Sequence, residues 1–494
     1  MQPHVLSENS YDLLVVGGGI NGAGIARDAA GRGLSVLLVE KGDLAGATSS
    51  SSSKLIHGGL RYLEHYEFRL VAEALAEREV LLKVAAHLVW PARFVMPHVP
   101  ELRPRWMIRA GLFLYDHLSR RASLPGSRAI RLDGPPYNSG LKPQLKHGFI
   151  YSDCRVDDAR LVVANAMDAR ARGVRVLTRT ECLKAKRDAG RWQAGLSNGE
   201  QVSAKAIVNA AGPWVKAVLN GHLSQPSRDE VRLVKGSHIV LPRLYEGEHA
   251  FILQNDDRRV IFMIPYGDLH TLVGTTDIPV AGEYAQPEAD AEEVDYMCRA
   301  VNRYLARPAR PEDVVWKYSG VRPLYDDGTA DPSAVTRDYT LRVDDDAGTA
   351  PVLSVFGGKI TTYRRLAEQA MEKLAPYFPG IKPAWTHHTP LSGSDFGGVP
   401  RVEARDAFFG SHSHIPEATL RPIFRRHGTN AQAVVGDGDL GEDLGAGLTE
   451  REVRYFVEHE WAQTAEDVLW RRTKAGLLMS QTQRERVAKV LGRA

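Results

Sequence analysis

Apolar positions along the chain cluster into short runs that end in glycine or an acid. Asp12–Val16 is such a run, and it reads as a buried parallel strand. A helix is expected from the glycines at 17–24 through Ala30, and a second strand over Ser35–Val39, ending at Glu40. The same reading places strands at Val174–Arg179, Ala206–Ala210 and Val352–Phe356, the last leading through Gly357-Gly358 into a helix starting near Ile360. Between these, Ser237–Leu241, Ala250–Leu253, Val260–Pro265 and Thr271–Gly274 alternate around an Asp256-Asp257 turn. That pattern predicts a mostly antiparallel sheet. After Pro390 the period becomes helical. Thr449 with Glu452, Thr464 with Asp467 and Ser480 with Gln483 have the spacing of capping boxes, and Val453, Phe456 and Val457 supply an apolar face. Residues 390–494 are therefore expected to form a separate helical domain.

The 494 residues exceed one ordinary core, so two or three domains are expected. A net charge of +3 is too small to argue for nucleic acid. Cys154, Cys182 and Cys298 lie far apart, which speaks against a disulfide framework or a zinc site, fits a reducing cytoplasm and leaves no metal expected. The first ten residues lack the regions of a signal peptide, and no apolar run approaches the roughly 20 residues of a membrane span.

Gly17-Gly18-Gly19-Ile20-Asn21-Gly22 follows the first strand and opens the helix. Gly17 allows the sharp turn, Gly19 lets the backbone approach a pyrophosphate, and Gly22 lets helix and strand pack closely. The helix start offers N–H groups to the phosphates. Glu40 is placed to accept hydrogen bonds from a ribose diol. This motif does not choose between NAD and FAD. The next segment does: Asp43–Lys54 is rich in hydroxyl residues, among them Thr48, Ser49 and Ser53, which beside a pyrophosphate suit an extended dinucleotide. His57-Gly58-Gly59-Leu60-Arg61-Tyr62 then brings a cation and an aromatic ring to the same mouth.

From Asp12 to Glu79 the chain strongly resembles the FAD-dependent glycerol 3-phosphate dehydrogenases of aerobic bacteria. The resemblance continues through YSDCRVDDARL, NAAGPWV, LVKGSHIVLPR, VGTTD, YSGVRPL, TRDYT, FGGKITTYR and LWRRTK, along nearly the whole length. It implies an α/β fold, with a Rossmann-like FAD-binding domain of the glycine/D-amino-acid oxidase type, an antiparallel-sheet substrate domain and the C-terminal helical domain. The FAD domain would be discontinuous (8–90, 150–225 and 318–389), with 91–149 and 226–317 forming the substrate-binding, membrane-facing part. The implied reaction is oxidation of glycerol 3-phosphate by hydride transfer to FAD, with electrons passed to a quinone.

Within that frame His238 is expected to be the base, since a histidine accepts a proton near neutrality. Arg322 and Lys359 complete the catalytic set, while Arg61, Tyr62 and Arg337 contact substrate, arginine forks being suited to phosphate. Gly17, Gly19, Gly22, Glu40, Thr48, Ser49, Ser53, Lys54, His57, Gly212, Gly358 and Thr361 are expected to hold the cofactor. The alternatives are an oxygen-using glycerol 3-phosphate oxidase, an amine or amino-acid oxidase, and a flavin-binding regulatory protein without turnover. The segment His87–Arg121 mixes Trp90, Phe94, Trp106, Phe113 and Tyr115 with Arg93, Arg103, Arg105, Arg109, Arg120 and Arg121, with a helix from about Arg105. Such a mixture suits an anionic membrane surface, so a peripheral place on the inner face of the cell membrane is expected. A homodimer is compatible with this reading.

Overall fold

The computed structural model describes residues 9–119, 123–225, 229–257, 259–280, 287–326 and 338–492. Two large sheets, of eight and ten strands among these residues, organise the molecule. The first is built on parallel strands in the spatial order Thr349–Gly357, Gln201–Asn209, Ser10–Val16, Val36–Val39 and Arg175–Leu177. Tyr339–Asp346 adds an antiparallel edge, and the hairpin Cys182–Asp188/Arg191–Leu196 folds over one face. Strands buried on both faces must be apolar throughout. Leu13, Leu14, Val15 and Val36–Val39 accordingly lie at 0–1% exposure. Helix α1 (Ile20–Gly31) covers the other face.

The second sheet carries Val231–Pro242 near one edge. From it the order runs through His270–Gly274, Val260–Tyr266, Ala250–Gln254, Val89–Pro97 and His147–Val156 to Leu55–Ile56. Its pairs are antiparallel except for Ala250–Gln254 with Val89–Pro97, which is parallel. The Asp256-Asp257 turn joins the two strands expected to flank it. Period-two alternation sorts the contacts of Val231–Pro242. Ser237 donates to Glu293 on the helix Ala291–Asn302 behind the sheet, whereas His238 points to the opposite face and meets Ser53. On that face pack α2 (Phe68–Val84) and α3 (Arg105–His117), the latter through Ile108, Leu112 and Tyr115 at helical spacing.

Two expected segment boundaries move. Trp316–Tyr325 pairs along its length with Val231–Pro242, and His147–Val156 pairs with Val89–Pro97, so both strands belong to the second sheet. Both mix apolar and polar positions, and pattern alone does not say which of two sheets such a strand joins. The strand expected over Val174–Arg179 is limited to Arg175–Leu177, and a 3-10 turn, Ile360–Thr362, precedes the helix Tyr363–Leu374.

The C-terminal part has its own apolar core, around Leu420, Phe424, Val453 and Phe456. The Thr449, Thr464 and Ser480 hydroxyls each accept from the N–H three residues on, and the Ser480 box is complete in both directions. The expected C-terminal helical domain is present, and it is also bonded into the first sheet's loops. Arg472 and Arg471 reach Asp43, and Arg160 of α4 (Asp158–Ala171) pairs with Glu460. Charged partners 300 to 429 residues apart leave no local trace in sequence.

Candidate functional site

The turn after the first strand opens a cavity of about 740 Å³, within the usual range of roughly 300–1,000 Å³ for small-molecule sites. Gly17 has φ +111°, and a Cβ there would sit 2.5 Å from the Ala210 carbonyl oxygen, so this sharp exit from the strand requires glycine. A Cβ on Gly22 would lie 1.9 Å from the Gly17 carbonyl oxygen, which makes Gly22 a packing glycine. A Cβ on Gly19 would meet only the Ser49 hydroxyl, at 3.1 Å, so the space over Gly19 belongs to the cavity.

No side chain caps α1, although Ile20 N donates to Ser49 Oγ at 3.0 Å. The start of α1 thus faces the cavity with its first-turn N–H groups, which have no partner within the helix, and its dipole's positive end. Glu40 accepts from Gly18 N at 2.6 Å and from Gly42 N at 2.7 Å. Burial raises its carboxyl above the usual range, while the two N–H bonds favour the anion. Gly17, Gly19, Glu40, Thr48, Ser49, Gly212 and Gly358 line this cavity. Lys41, Trp214, Arg179 and the C-terminal residues Thr464, Glu466, Asp467 and Arg471 line it too, and sequence reasoning missed all of these. The donors and the glycine cradle fit a dinucleotide pyrophosphate, and the acid fits a ribose.

The hydroxyl-rich run lies between the two sheets. Thr48 Oγ1 donates to Val321 O, Tyr318 Oη donates to Ser52 O, and Gly320 leaves room for Ser51, whose Cβ a side chain there would meet at 2.7 Å. Lys54 does not line the cavity. Its ammonium is buried against Asp158, at 2.8 Å, and against Ser50 O. Burial alone would raise the Asp158 carboxyl, but Lys54 and Lys474 hold it below the usual range. Lys54 thus braces the hydroxyl run from behind.

A second cluster stands on the sheet face beyond this run. Phe262, Gly274, His238 and Tyr318 are register neighbours across four adjacent strands. Gly274 makes room for the His238 ring, since a Cβ there would lie 2.1 Å from Cδ2. His238 stacks on Tyr318, with centroids 4.9 Å apart, and its Nε2 is 2.9 Å from Ser53 Oγ. Burial, then Arg322, then Lys54 push the imidazole well below its ordinary pKa, so it is neutral at physiological pH. Arg322 is held by Asp277, by Thr276 O and by Thr275 Oγ1 at 2.9 Å.

On the other side of Phe262 stands His57, 6.3 Å between ring centroids, lowered to about 3 by burial and by Lys359. Thr361 Oγ1 bonds the His57 backbone, and the Lys359 ammonium lies 3.7 Å over the Tyr62 ring. Gly59, at φ +80°, makes way for that ring. Arg61, half-buried, shares the 3-10 turn Leu60–His65 with Tyr62. Gly58 N donates to the buried Tyr115 hydroxyl at 2.9 Å. That hydroxyl donates to Asp153, which pairs with Arg78.

The fold is also what comparison with known proteins finds. A model described as "FAD dependent oxidoreductase" matches residues 12–364, and one described as "C-terminal domain of alpha-glycerophosphate oxidase" matches 384–493. A glycerol-3-phosphate dehydrogenase of Pseudomonas aeruginosa is 53% identical over 97% of this chain and 95% of its own length. The aerobic glycerol-3-phosphate dehydrogenase of Escherichia coli is 51% identical over 97% of each chain.

The chain belongs to the FAD-dependent glycerol-3-phosphate dehydrogenase family.

FAD is the cofactor of this family's fold, and the cavity above has the donors for it. The crystal structure of the Bacillus halodurans glycerol-3-phosphate dehydrogenase with FAD matches at TM-score 0.73 and 27% identity, over 99% of this chain and 95% of that one. A glycine oxidase from Bacillus cereus shares the fold at TM-score 0.55 and 16% identity, covering 76% of this chain and 98% of its own. A D-erythritol 1-phosphate dehydrogenase of Brucella abortus is 49% identical over 96% of each chain. Family membership alone therefore does not name the polyol phosphate.

Gly22, Ser53, Lys54, His57 and Thr361, all expected to hold the cofactor, sit around the cavity and not on its lining. His238, Arg322, Lys359, Arg61 and Tyr62 fall in the second cluster and the turn beside it. Arg337, Arg120 and Arg121 lie outside the described residues. Tyr115 and Asp153 were missed as partners of the Gly58 turn. The tyrosine was legible only as one more aromatic in an arginine-rich helix.

Proposed function

We propose that this chain oxidises the secondary alcohol of sn-glycerol 3-phosphate to dihydroxyacetone phosphate, and that the electrons leave to a quinone at an anionic membrane surface. The observation that carries the reading is the neutral, buried His238. It is bonded to Ser53, beside a fixed Arg322, in a chain that is 51% and 53% identical to two glycerol-3-phosphate dehydrogenases. Bound FAD supplies the hydride acceptor. The chain's own part is positioning and proton transfer. His238 accepts the hydroxyl proton, and its neutrality leaves it free to do so. Arg322 and Lys359 place positive charge where the oxygen becomes anionic, and Arg61 with Arg337 holds the phosphate.

Anaerobic addition of glycerol 3-phosphate to the yellow holoprotein tests this, since it should bleach the flavin band while glycerol and sarcosine do not. D-erythritol 1-phosphate is the informative competitor. A higher kcat/KM for it would move the substrate to the four-carbon polyol phosphate. Oxygen uptake that is fast without a quinone would make the enzyme an oxidase.

Among the described residues no helix is long and apolar enough to cross a membrane. Helix α3 instead shows two faces. Ile108, Leu112 and Tyr115 are buried, while Trp106 (71% exposed), Met107, Phe113 (56%) and Leu114 point outward, beside exposed Arg105 and Arg109. Apolar side chains flanked by cations suit an acyl boundary under anionic headgroups. At about 1 kcal/mol per arginine, the double change Arg105→Gln/Arg109→Gln should weaken binding to anionic vesicles about 30-fold. Equal sedimentation of variant and wild type would place the membrane face elsewhere.

A further inference from the structure

The C-terminal part has no place in the chemistry above, yet it walls the cofactor cavity. The FAD-dependent oxidoreductase match ends at residue 364, and a glycine oxidase completes 98% of its own fold on 76% of this chain. What the addition does follows from one turn of helix, Asp467–Arg472.

Asp43, 5% exposed, follows the ribose-side acid Glu40 in the loop after the second strand. Its carboxylate takes Arg472 Nη1 and Nη2 at 2.6 and 2.7 Å, and Arg471 Nε at 2.6 Å. Arg472 is fully buried, and its Nε donates to Glu460 O at 3.1 Å. On the neighbouring loop Arg179 donates to Asp467 at 2.7 Å, and the Asp467 carboxylate also takes the N–H groups of Gln463 and Thr464. The Asp43 loop continues directly into the cradle. Ala45 N donates to Gly18 O, Arg179 N donates to Gly42 O, and Ser49, six residues on from Asp43, accepts from Ile20 N. Thr464, Glu466, Asp467 and Arg471 form the cavity wall beside these loops.

We propose that the Asp467–Arg472 turn is a clasp on the FAD site: through Asp43 and Arg179 it sets the loops beyond Glu40, and with Arg471 it closes the ribose end of the cavity. Asp43, Arg471 and Arg472 are positioning residues for cofactor retention. The clasp couples folding of the C-terminal part to FAD affinity. Because FAD affinity is read without substrate, the proposal stands or falls separately from the choice of polyol phosphate.

The test uses the full chain, stripped of flavin and titrated with FAD by fluorescence, with melting temperatures of the apo and FAD-loaded forms. Arg471→Gln and Asp43→Asn should each raise the Kd for FAD tenfold or more, speed FAD release on dilution, and narrow the gap between holo and apo melting temperatures. Arg170→Gln cuts another contact to the C-terminal part, Arg170 to Glu458 O, away from the cavity, and should leave the Kd unchanged. Should Asp43→Asn not fold, Arg471→Gln decides alone. A Kd within twofold of wild type in the folded variants overturns the clasp. So does an equal fall of both melting temperatures with the gap intact, since that marks a purely structural ion pair.

Discussion

Gly19 and Gly22 stand three residues apart in one turn, yet they should fail in different ways when given a side chain. At Gly22 an added Cβ falls 1.9 Å from the Gly17 carbonyl oxygen, a backbone atom that cannot rotate aside as a side-chain end can. Gly22→Ala must therefore push α1 off the first sheet, and overpacking of this kind costs about 1–3 kcal/mol. At that cost the apo protein itself melts lower. At Gly19 the added Cβ meets only a serine hydroxyl at 3.1 Å, a contact that a small rotation relieves. Gly19→Val should leave the apo melting temperature near wild type and fill the space where a pyrophosphate approaches the helix start. Losing one charge-assisted N–H bond costs about 1.5–3 kcal/mol, so the Kd for FAD should rise about tenfold to more than a hundredfold. The assay is FAD titration of the stripped protein beside thermal melts of the same samples. Full flavin affinity in Gly19→Val, or an apo protein as destabilised by Gly19→Val as by Gly22→Ala, would refute the division between a cradle glycine and a packing glycine.

Tyr115→Phe removes a buried hydroxyl that takes Gly58 N at 2.9 Å and donates to Asp153 at 2.7 Å. An unsatisfied buried group costs about 1–3 kcal/mol. The turn carrying His57, Arg61 and Tyr62 should loosen, so that kcat falls while FAD stays bound; unchanged kcat with lower stability would reduce Tyr115 to a fold residue. His238→Ala should lower turnover about a hundredfold, the loss expected for a general base, and full turnover at saturating substrate would remove it from the mechanism. The two histidines also set an acid limit. His57, near 3, and His238 stay neutral in the fold but take up protons in the unfolded chain near 6.5, so stability falls as the pH drops below about 6.5, and for His57 the loss continues toward 3. Melting temperature against pH reads this, and His238→Gln should flatten part of the slope by up to about 1.4 kcal/mol per pH unit.

How much of this was legible in sequence depended on how far apart the interacting groups lie along the chain. The glycine turn, α1 and Glu40 occupy one stretch of chain, so apolar period, glycine spacing and the terminal acid all bear on the same structure. The row Phe262–Gly274–His238–Tyr318 was half visible. Each strand could be drawn from its alternation, and the resemblance pointed to His238, but which residues become neighbours is decided by register. Register depends on pairs of strands and not on any one of them. Lys54 shows the opposite failure. Its place in a hydroxyl-rich loop put it among the residues expected to hold the cofactor, and the structure turns it inward to Asp158, 104 residues away, because a buried carboxylate needs a cation more than an open cavity does. The same physics hid the C-terminal clasp. Arg471 and Arg472 entered the sequence reading only within LWRRTK, with no role assigned to either. Only the approach of Asp43, 429 residues from Arg472, turns them into a buried ion cluster at the mouth of the cofactor cavity. A charge whose partner is local can be assigned from sequence; one whose partner is remote looks like solvent-facing charge until the fold is known. The cofactor site, which needs both kinds, was therefore read on its cradle side and missed on its closing side.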